Sequence, residues 1–319
     1  MSHPILVVPP LTPFEADGTL HVGAIAGHVD YVLESCRPDF VVAAGVEAQE
    51  YAYLSFEARQ TLLRTTIEAV DGRAPVIAGI SHPSFHTAIS LANFAAEHGA
   101  KVLQVLAPLR PFGGAPTPDE VLAYIELILR ETDLPLMLYL NAGPGADLSV
   151  DATLAIARLP RVQYIKESSR DLTRVGRLIE EIDHAGHAHY LTTTQMLLPS
   201  LLLGGSGATM PPPLAALGAR VLAAYRKGDI AEAARVQRQF SLFPAKWMHR
   251  GLAPTMKAAL RYLGQNIGDP HLPFGVLRED ERAALHAFLD GTDLKSGAPL
   301  SAADTPTAVQ SAPVNARNR

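Results

Sequence analysis

Val162-Gln163-Tyr164-Ile165-Lys166-Glu167-Ser168-Ser169 is the stretch whose reading decides the fold. A short apolar run carries one lysine near its end, and turn and capping residues follow at once. Leu172, Val175, Ile179 and Ile182 then recur at helical spacing, so the stretch reads strand, tight loop, helix. Lys166 therefore stands at the carboxyl end of a strand, where α/β proteins gather their chemistry. An amine held there among apolar neighbours is partly desolvated. Desolvation disfavours its charged form and leaves a nucleophile able to condense with a carbonyl. The other reading is a rim lysine whose stem lies over apolar surface with its head in water.

Outward from this stretch the same pattern repeats. Residues 5–8, 40–44, 75–79, 102–106 and 136–140 are short apolar runs closed by polar residues, Gly or Pro, and 190–192 and 207–210 follow downstream. Helical patterns lie between them. One carries Val22, Ile25, Val29, Val32 and Leu33, and another starts at the cap Ser55 and runs to about Val70. A third starts at Thr117 and carries Val121, Tyr124, Ile125 and Ile128, and 148–159 is a fourth. Eight strands alternating with helices imply parallel strands with crossovers, and that number predicts an α/β fold, a closed (β/α)8 TIM barrel, rather than an open sheet. No phosphate-binding glycine fingerprint follows the first strand, which argues against a dinucleotide fold. Residues 230–243, 254–263 and 279–289 are helical in pattern. The expected organisation is a barrel over 1–225 carrying the active site, a helical extension over 226–290, and a disordered tail over 291–319 rich in Ala, Pro, Ser and Thr.

Composition narrows the function classes. The chain of 319 residues is 48% hydrophobic and 18% charged, which suits a globular protein with ample core. Its net charge of −5 offers no basic excess to a nucleic-acid backbone or an acidic membrane surface, so neither is an expected partner. Cys36 is the single cysteine, which excludes an internal disulfide framework and fits a reducing compartment. With no charged setting around it, Cys36 reads as buried filler rather than a nucleophile. The first ten residues lack a charged start followed by a long apolar core, and the apolar run 197–203 ends at Gly204-Gly205. The expected place is the cytoplasm.

The chain resembles the family of dihydrodipicolinate synthase and N-acetylneuraminate lyase, the class I aldolases that form a Schiff base. The resemblance covers about residues 4–290. It is carried by Thr12-Pro13-Phe14 with Asp17-Gly18, Glu50 with Leu54-Ser55, Pro75-Val76-Ile77-Ala78-Gly79, Tyr139, Lys166-Glu167-Ser168-Ser169, Gly204-Gly205-Ser206-Gly207 and Lys257-Ala258-Ala259-Leu260. Each match is common alone; their order and spacing identify the family. The resemblance implies that Lys166 forms the imine and that Tyr139 shuttles protons to and from the substrate. An iminium is an electron sink that lets a neighbouring bond break, and a phenol within reach can give or take the proton. The implied cofactor set is empty beyond that covalent imine, with no metal. The implied assembly is a homotetramer built from dimers.

The departures bear on substrate. The family usually carries Gly-Thr-Thr-Gly-Glu after the second strand, where this chain has Val46-Glu47-Ala48-Gln49-Glu50. Glu47 and Ala48 thus replace the two hydroxyls that bind a keto-acid carboxylate. An ionised Glu47 would repel such a carboxylate by roughly several kcal/mol at short range. Either Glu47 is protonated or turned away, or the substrate is not held as pyruvate is. A Pro-Tyr-Tyr run is replaced by Pro108-Leu109-Arg110-Pro111-Phe112, where Arg110 reads either as an anion contact or as a solvated loop arginine. Tyr139-Leu140-Asn141-Ala142-Gly143-Pro144 lacks the arginine of dihydrodipicolinate synthases proper, so lysine biosynthesis is not the first choice.

Other residues are candidates for setting the substrate. Thr192, Thr193, Thr194 and Gln195 leave the seventh strand with uncharged hydroxyls and an amide suited to a polyhydroxylated chain, or equally to a helix cap. His82 leaves the third strand as a second acid or base or as a plain hydrogen-bonding residue. Gly207, with Gly205 and Ser206, lets backbone amides approach a ligand or simply closes the barrel; Thr209 stands at the end of the same strand. His184, His187 and His189 lie close in sequence without a matching carboxylate or cysteine pattern, so a solvated loop is preferred to a metal site.

The expected function is an aldolase or dehydratase acting on a 2-keto acid, such as a 2-keto-3-deoxy sugar acid, through an imine on Lys166. Glu47 beside Tyr139 favours dehydration, since loss of a hydroxyl gains from an extra acid or base. The alternatives are dihydrodipicolinate synthase-type condensation of pyruvate, or a barrel that binds keto acids without turnover. A phosphate-handling barrel ranks last, because Gly204 to Gly207 has no basic residue near it.

Overall fold

The computed structural model describes residues 3–46, 50–110, 112 and 114–296. Glu47, Ala48 and the segment 297–319 lie outside the described residues, so the readings placed on them have no structural counterpart.

Among the described residues, strands β1 (Ile5–Val8), β2 (Phe40–Ala43), β3 (Val76–Gly79), β4 (Val102–Leu106), β5 (Leu136–Leu140), β6 (Val162–Glu167), β7 (His189–Thr192) and β8 (Gly207–Thr209) follow in chain order around a closed barrel. Each registered pair is parallel. The fold is the (β/α)8 barrel expected from the alternating pattern. Nearly every strand residue is buried, which is why the strands read as continuous Val, Ile and Leu runs rather than as alternation. Strand ends differ from expectation by a residue for local reasons. β2 stops at Ala43 because Ala44 takes a left-handed backbone with φ of 54°.

The chain divides into two compact units. Of the described residues, the first holds residues 3–5 with Pro75–Thr209, and the second holds Leu6–Ala74 with residues 210–296. In the first unit β3 to β8 alternate with α3 (Phe85–Glu97), α4 (Pro118–Glu131), α5 (Val150–Ala157), α6 (Leu172–Leu178) and α7 (Leu197–Leu202). Helix α4 opens with a full capping box, in which Thr117 and Glu120 satisfy each other's backbone N–H groups. Strand β8 meets the chain start through Ile5 N–H donating to Ser206 O at 2.7 Å. In the second unit α1 (Val22–Tyr31) and α2 (Phe56–Val70) follow β1 and β2. The chain from Met210 forms α8 (Leu214–Arg226), α9 (Ile230–Phe240), α10 (Leu252–Tyr262), α11 (Glu279–Asp290) and the short α12 (Asp293–Ser296). Phe243 sits 5.6 Å from Trp247 and 5.2 Å from Phe288, ring centre to ring centre, giving the C-terminal helices an aromatic core. Asp293, at the start of α12, is held by Arg235 at 2.6 Å.

Register stacks the interior of the first unit. Gln104, Met137, Tyr164 and His189 lie level on β4 to β7, and Leu106, Tyr139, Lys166 and Leu191 form the level toward the carboxyl ends. That second level carries the candidate site.

Candidate active site

Lys166 and Tyr139 are directly registered partners on neighbouring parallel strands, so the pleat sends both side chains to the same face. Both residues are 5% exposed. The Lys166 ammonium nitrogen lies 3.7 Å from the centre of the Tyr139 ring and donates to Ser168 Oγ at 2.5 Å. Asn141, two residues beyond the tyrosine, donates its side-chain amide to the Tyr139 hydroxyl at 3.0 Å. The loop after β6 is fixed by Ser168 N–H donating to Leu140 O at 3.0 Å. The arrangement sets an amine, a phenol, an alcohol and an amide within touching distance at the strand ends. An amine can form an imine there, and a phenol can pass a proton beside it.

The next residue on β6 braces this geometry from the other side of the strand. Glu167 accepts from Arg174 Nε at 2.6 Å and from Tyr190 OH at 2.7 Å; Glu167 and Tyr190 are buried and Arg174 is half-buried. Burial pushes the Tyr190 phenol up, and the Glu167 carboxylate pushes it further, so Tyr190 stays a hydrogen donor. Strand β6 is thereby tied to α6 and β7, one residue from the lysine. Sequence reasoning singled out Lys166 and Tyr139. It passed over Ser168 as a partner, Asn141 as the tyrosine's donor, and Glu167–Arg174–Tyr190 as the brace. The signal for the last was the alternation itself: a charged residue next to an inward lysine must face outward, and a buried carboxylate there requires partners.

The other candidates fall as follows. Thr193 and Thr194 are buried, and Thr193 makes no capping hydrogen bond to the turn it precedes, so the capping reading of this segment is not realised there. Gln195 accepts from Arg170 Nε at 3.2 Å, and Arg170 also donates to Ser168 O at 3.4 Å, which links Gln195 to the residue beside the lysine. Among the described residues, the buried hydroxyl oxygens of Thr192 and Thr209 meet no hydrogen-bond partner. Gly207 has φ of 147°, and a Cβ there would run into the backbone of Ile5, so barrel closure requires glycine. His82 uses Nδ1 to accept from Ser84 N–H at 2.9 Å. Arg110 is exposed and pairs with Glu120 at 2.5 Å, which holds the Glu120 carboxyl down at about 2. His184 pairs with Glu180 at 2.9 Å, while His189 meets Ser206 Oγ at 2.9 Å. Among the described residues no group of three or more His, Cys, Asp or Glu is placed to hold a metal ion. Cys36 is fully buried and its thiol is pushed up by that burial.

In the second unit three separate sequence markers meet. Lys257 and Glu50 form an ion pair at 2.8 Å, with side chains 2% and 6% exposed. The Lys257 ammonium also lies 4.5 Å from the Phe14 ring centre and donates to Asp269 O at 2.9 Å. His271 N–H donates to the other Glu50 oxygen at 3.1 Å. Burial pushes the Lys257 ammonium below the ordinary lysine value, and Glu50 pulls it back.

The (β/α)8 barrel thus sets a buried amine against a phenol at the carboxyl ends of β5 and β6, and the family to which the chain belongs is one of aldolase-type lyases. The chain belongs to the dihydrodipicolinate synthetase family, whose model matches residues 4–292. It is 28% identical over 282 residues to 4-hydroxy-tetrahydrodipicolinate synthase of Bacillus velezensis, covering 88% of this chain and 96% of that protein. YagE, a prophage protein of the dihydrodipicolinic acid synthase family from E. coli K12 solved in complex with pyruvate, matches at a TM-score of 0.83 and 25% identity, over 92% of this chain and 99% of that one. N-acetylneuraminate lyase from Mycoplasma synoviae shares the fold, with a TM-score of 0.78 at 20% identity over 93% of this chain and 99% of that one. The family is one of lysine-imine lyases. No helix among the described residues is long and apolar enough to cross a membrane.

Proposed function

We propose that this chain is a Schiff-base lyase that cleaves, condenses or dehydrates a 2-keto acid, such as a 2-keto-3-deoxy sugar acid, through an imine on Lys166. The observation that carries this is the buried Lys166 nitrogen 3.7 Å from the Tyr139 ring centre. In its neutral form the Lys166 amine adds to the ketone carbon. Loss of water from the carbinolamine gives the imine, which on protonation accepts the electron pair of the bond that breaks next to it. Tyr139 gives and takes the proton at the leaving or entering oxygen, and Asn141 steadies its hydroxyl. Thr193, Thr194 and Gln195 are the proposed contacts for the distal hydroxyls, with Gly207, Thr209, His82 and Arg110 as further candidates. Glu47 and Ala48 replace the usual hydroxyl pair, and Glu47 as an added acid or base favours dehydration.

Pyruvate is the second reading, favoured by the relatives' names and by the pyruvate complex of YagE. We further propose a cytoplasmic homotetramer, with the barrel over 1–225 carrying the chemistry and 226–290 as its extension. The test is borohydride reduction of the protein with pyruvate and with a panel of 2-keto-3-deoxy sugar acids, read by mass spectrometry. A reduced adduct on Lys166 supports the reading. The absence of any adduct across the panel overturns it, and binding of a keto acid without adduct or product would favour the barrel that lacks turnover.

A further inference from the structure

Helices α10 and α11 enclose a pocket of about 300 Å³ that the chemistry on Lys166 does not use. Two aromatic rings line it. Tyr262 and His286 stack with ring centres 3.8 Å apart and planes 11° apart, each ring covering one face of the other. Pro270 and Leu277 add apolar surface.

The charges around it do not cancel. Lys257 is matched by Glu50 at 2.8 Å, and Arg261 by Asp269 at 2.6 Å. Arg282 lines the same pocket from α11, and among the described residues its guanidinium meets no carboxylate. A planar guanidinium left over in such a pocket is suited to a carboxylate, which it can hold through two parallel hydrogen bonds. The pocket size is at the small end for ligand sites, and its few polar groups among apolar walls follow their usual pattern.

We propose that this pocket binds a small organic carboxylate with a planar or apolar body. The carboxylate lies on Arg282 with Arg261 beside it, and the body lies against the stacked Tyr262–His286 pair. Such a ligand reaches the buried pair as well. Asp269 holds Arg261 through its side chain and Lys257 through its carbonyl, so a carboxylate that draws on Arg261 acts on the residue supporting Lys257.

Titration calorimetry of the full chain with benzoate tests this, with benzamide as the uncharged analogue, inorganic phosphate as the bare anion, and saturating pyruvate as a second condition. Benzoate is expected to bind saturably, with pyruvate present or absent, while benzamide and phosphate give no comparable heat. Arg282→Gln, which alters an exposed charge, is expected to weaken benzoate at least about tenfold. His286→Ala is expected to weaken it too. The proposal is overturned if benzoate fails to bind, if pyruvate displaces it, if phosphate binds as well, or if Arg282→Gln leaves its affinity unchanged.

Discussion

Glu50 and Lys257, distant in sequence, face each other at 2.8 Å in a setting that leaves almost none of either side chain exposed. Phe14 covers the ammonium and His271 N–H completes the carboxylate. Removing one partner leaves the other charge buried and uncompensated, which costs about 3–5 kcal/mol, whereas replacing both removes the desolvation cost along with the attraction. Glu50→Gln and Lys257→Met are each expected to lose that much in urea unfolding, and the double substitution to lose less than the sum. Additive losses would show that the pair acts as two independent contacts.

Tyr139 touches the proposed imine position but not the carbonyl condensation itself. Tyr139→Phe is expected to lower kcat by about 10²- to 10⁴-fold while borohydride still labels Lys166. Lys166→Ala is expected to lose both turnover and label. An unlabelled Tyr139→Phe protein that remains folded would mean that the phenol is needed to form the imine.

His28 is buried, with Nε2 accepting from Leu11 N–H at 3.0 Å. Burial pushes the imidazole from 6.5 down to about 3, with the Lys257 charge adding to the effect. The folded value lies below the unfolded one, so the unfolded chain alone takes up this proton between them. His28 therefore stabilises the fold fully above pH 6.5 and progressively less as pH falls toward 3. The slope is about 1.4 kcal/mol per pH unit within that window. Urea unfolding at a series of pH values is expected to show His28→Gln lacking this component, and an identical slope in both proteins would count against it.

Gly207 opens β8 where the chain start passes, and any Cβ there meets backbone atoms of Ile5 rather than a yielding side chain. Gly207→Ala is expected to cost about 2–4 kcal/mol in thermal or urea unfolding. Gly186→Ala is the comparison, because the space around Gly186 is open although its φ is also positive. A smaller loss at Gly207 than at Gly186 would refute the closure argument.

Much of the barrel was legible because its strands are buried on both faces and therefore written as apolar runs, each punctuated by turn chemistry. Helix α4 was legible for a different reason, its capping box at Thr117 and Glu120. Helix α8 was not read as an element. Nine of its residues are buried around most of its circumference, so its sequence carries no polar face to mark a period. Helix α3 buries Ala88, Leu91, Ala92 and Ala95, and a stripe that is mostly alanine is a faint signal.

By itself the sequence determined which residue types stand at strand ends: an amine at 166 and a phenol at 139, each following an apolar run. Local periodicity is enough for that, because burial and turn chemistry act over a few neighbouring residues. Only the tertiary structure decided the rest. Strand register set the distance between Lys166 and Tyr139 and gave Glu167 its two partners, and packing far along the chain brought Glu50 to Lys257. Contacts of that kind depend on how whole elements are placed against one another, and no spacing within one element encodes them.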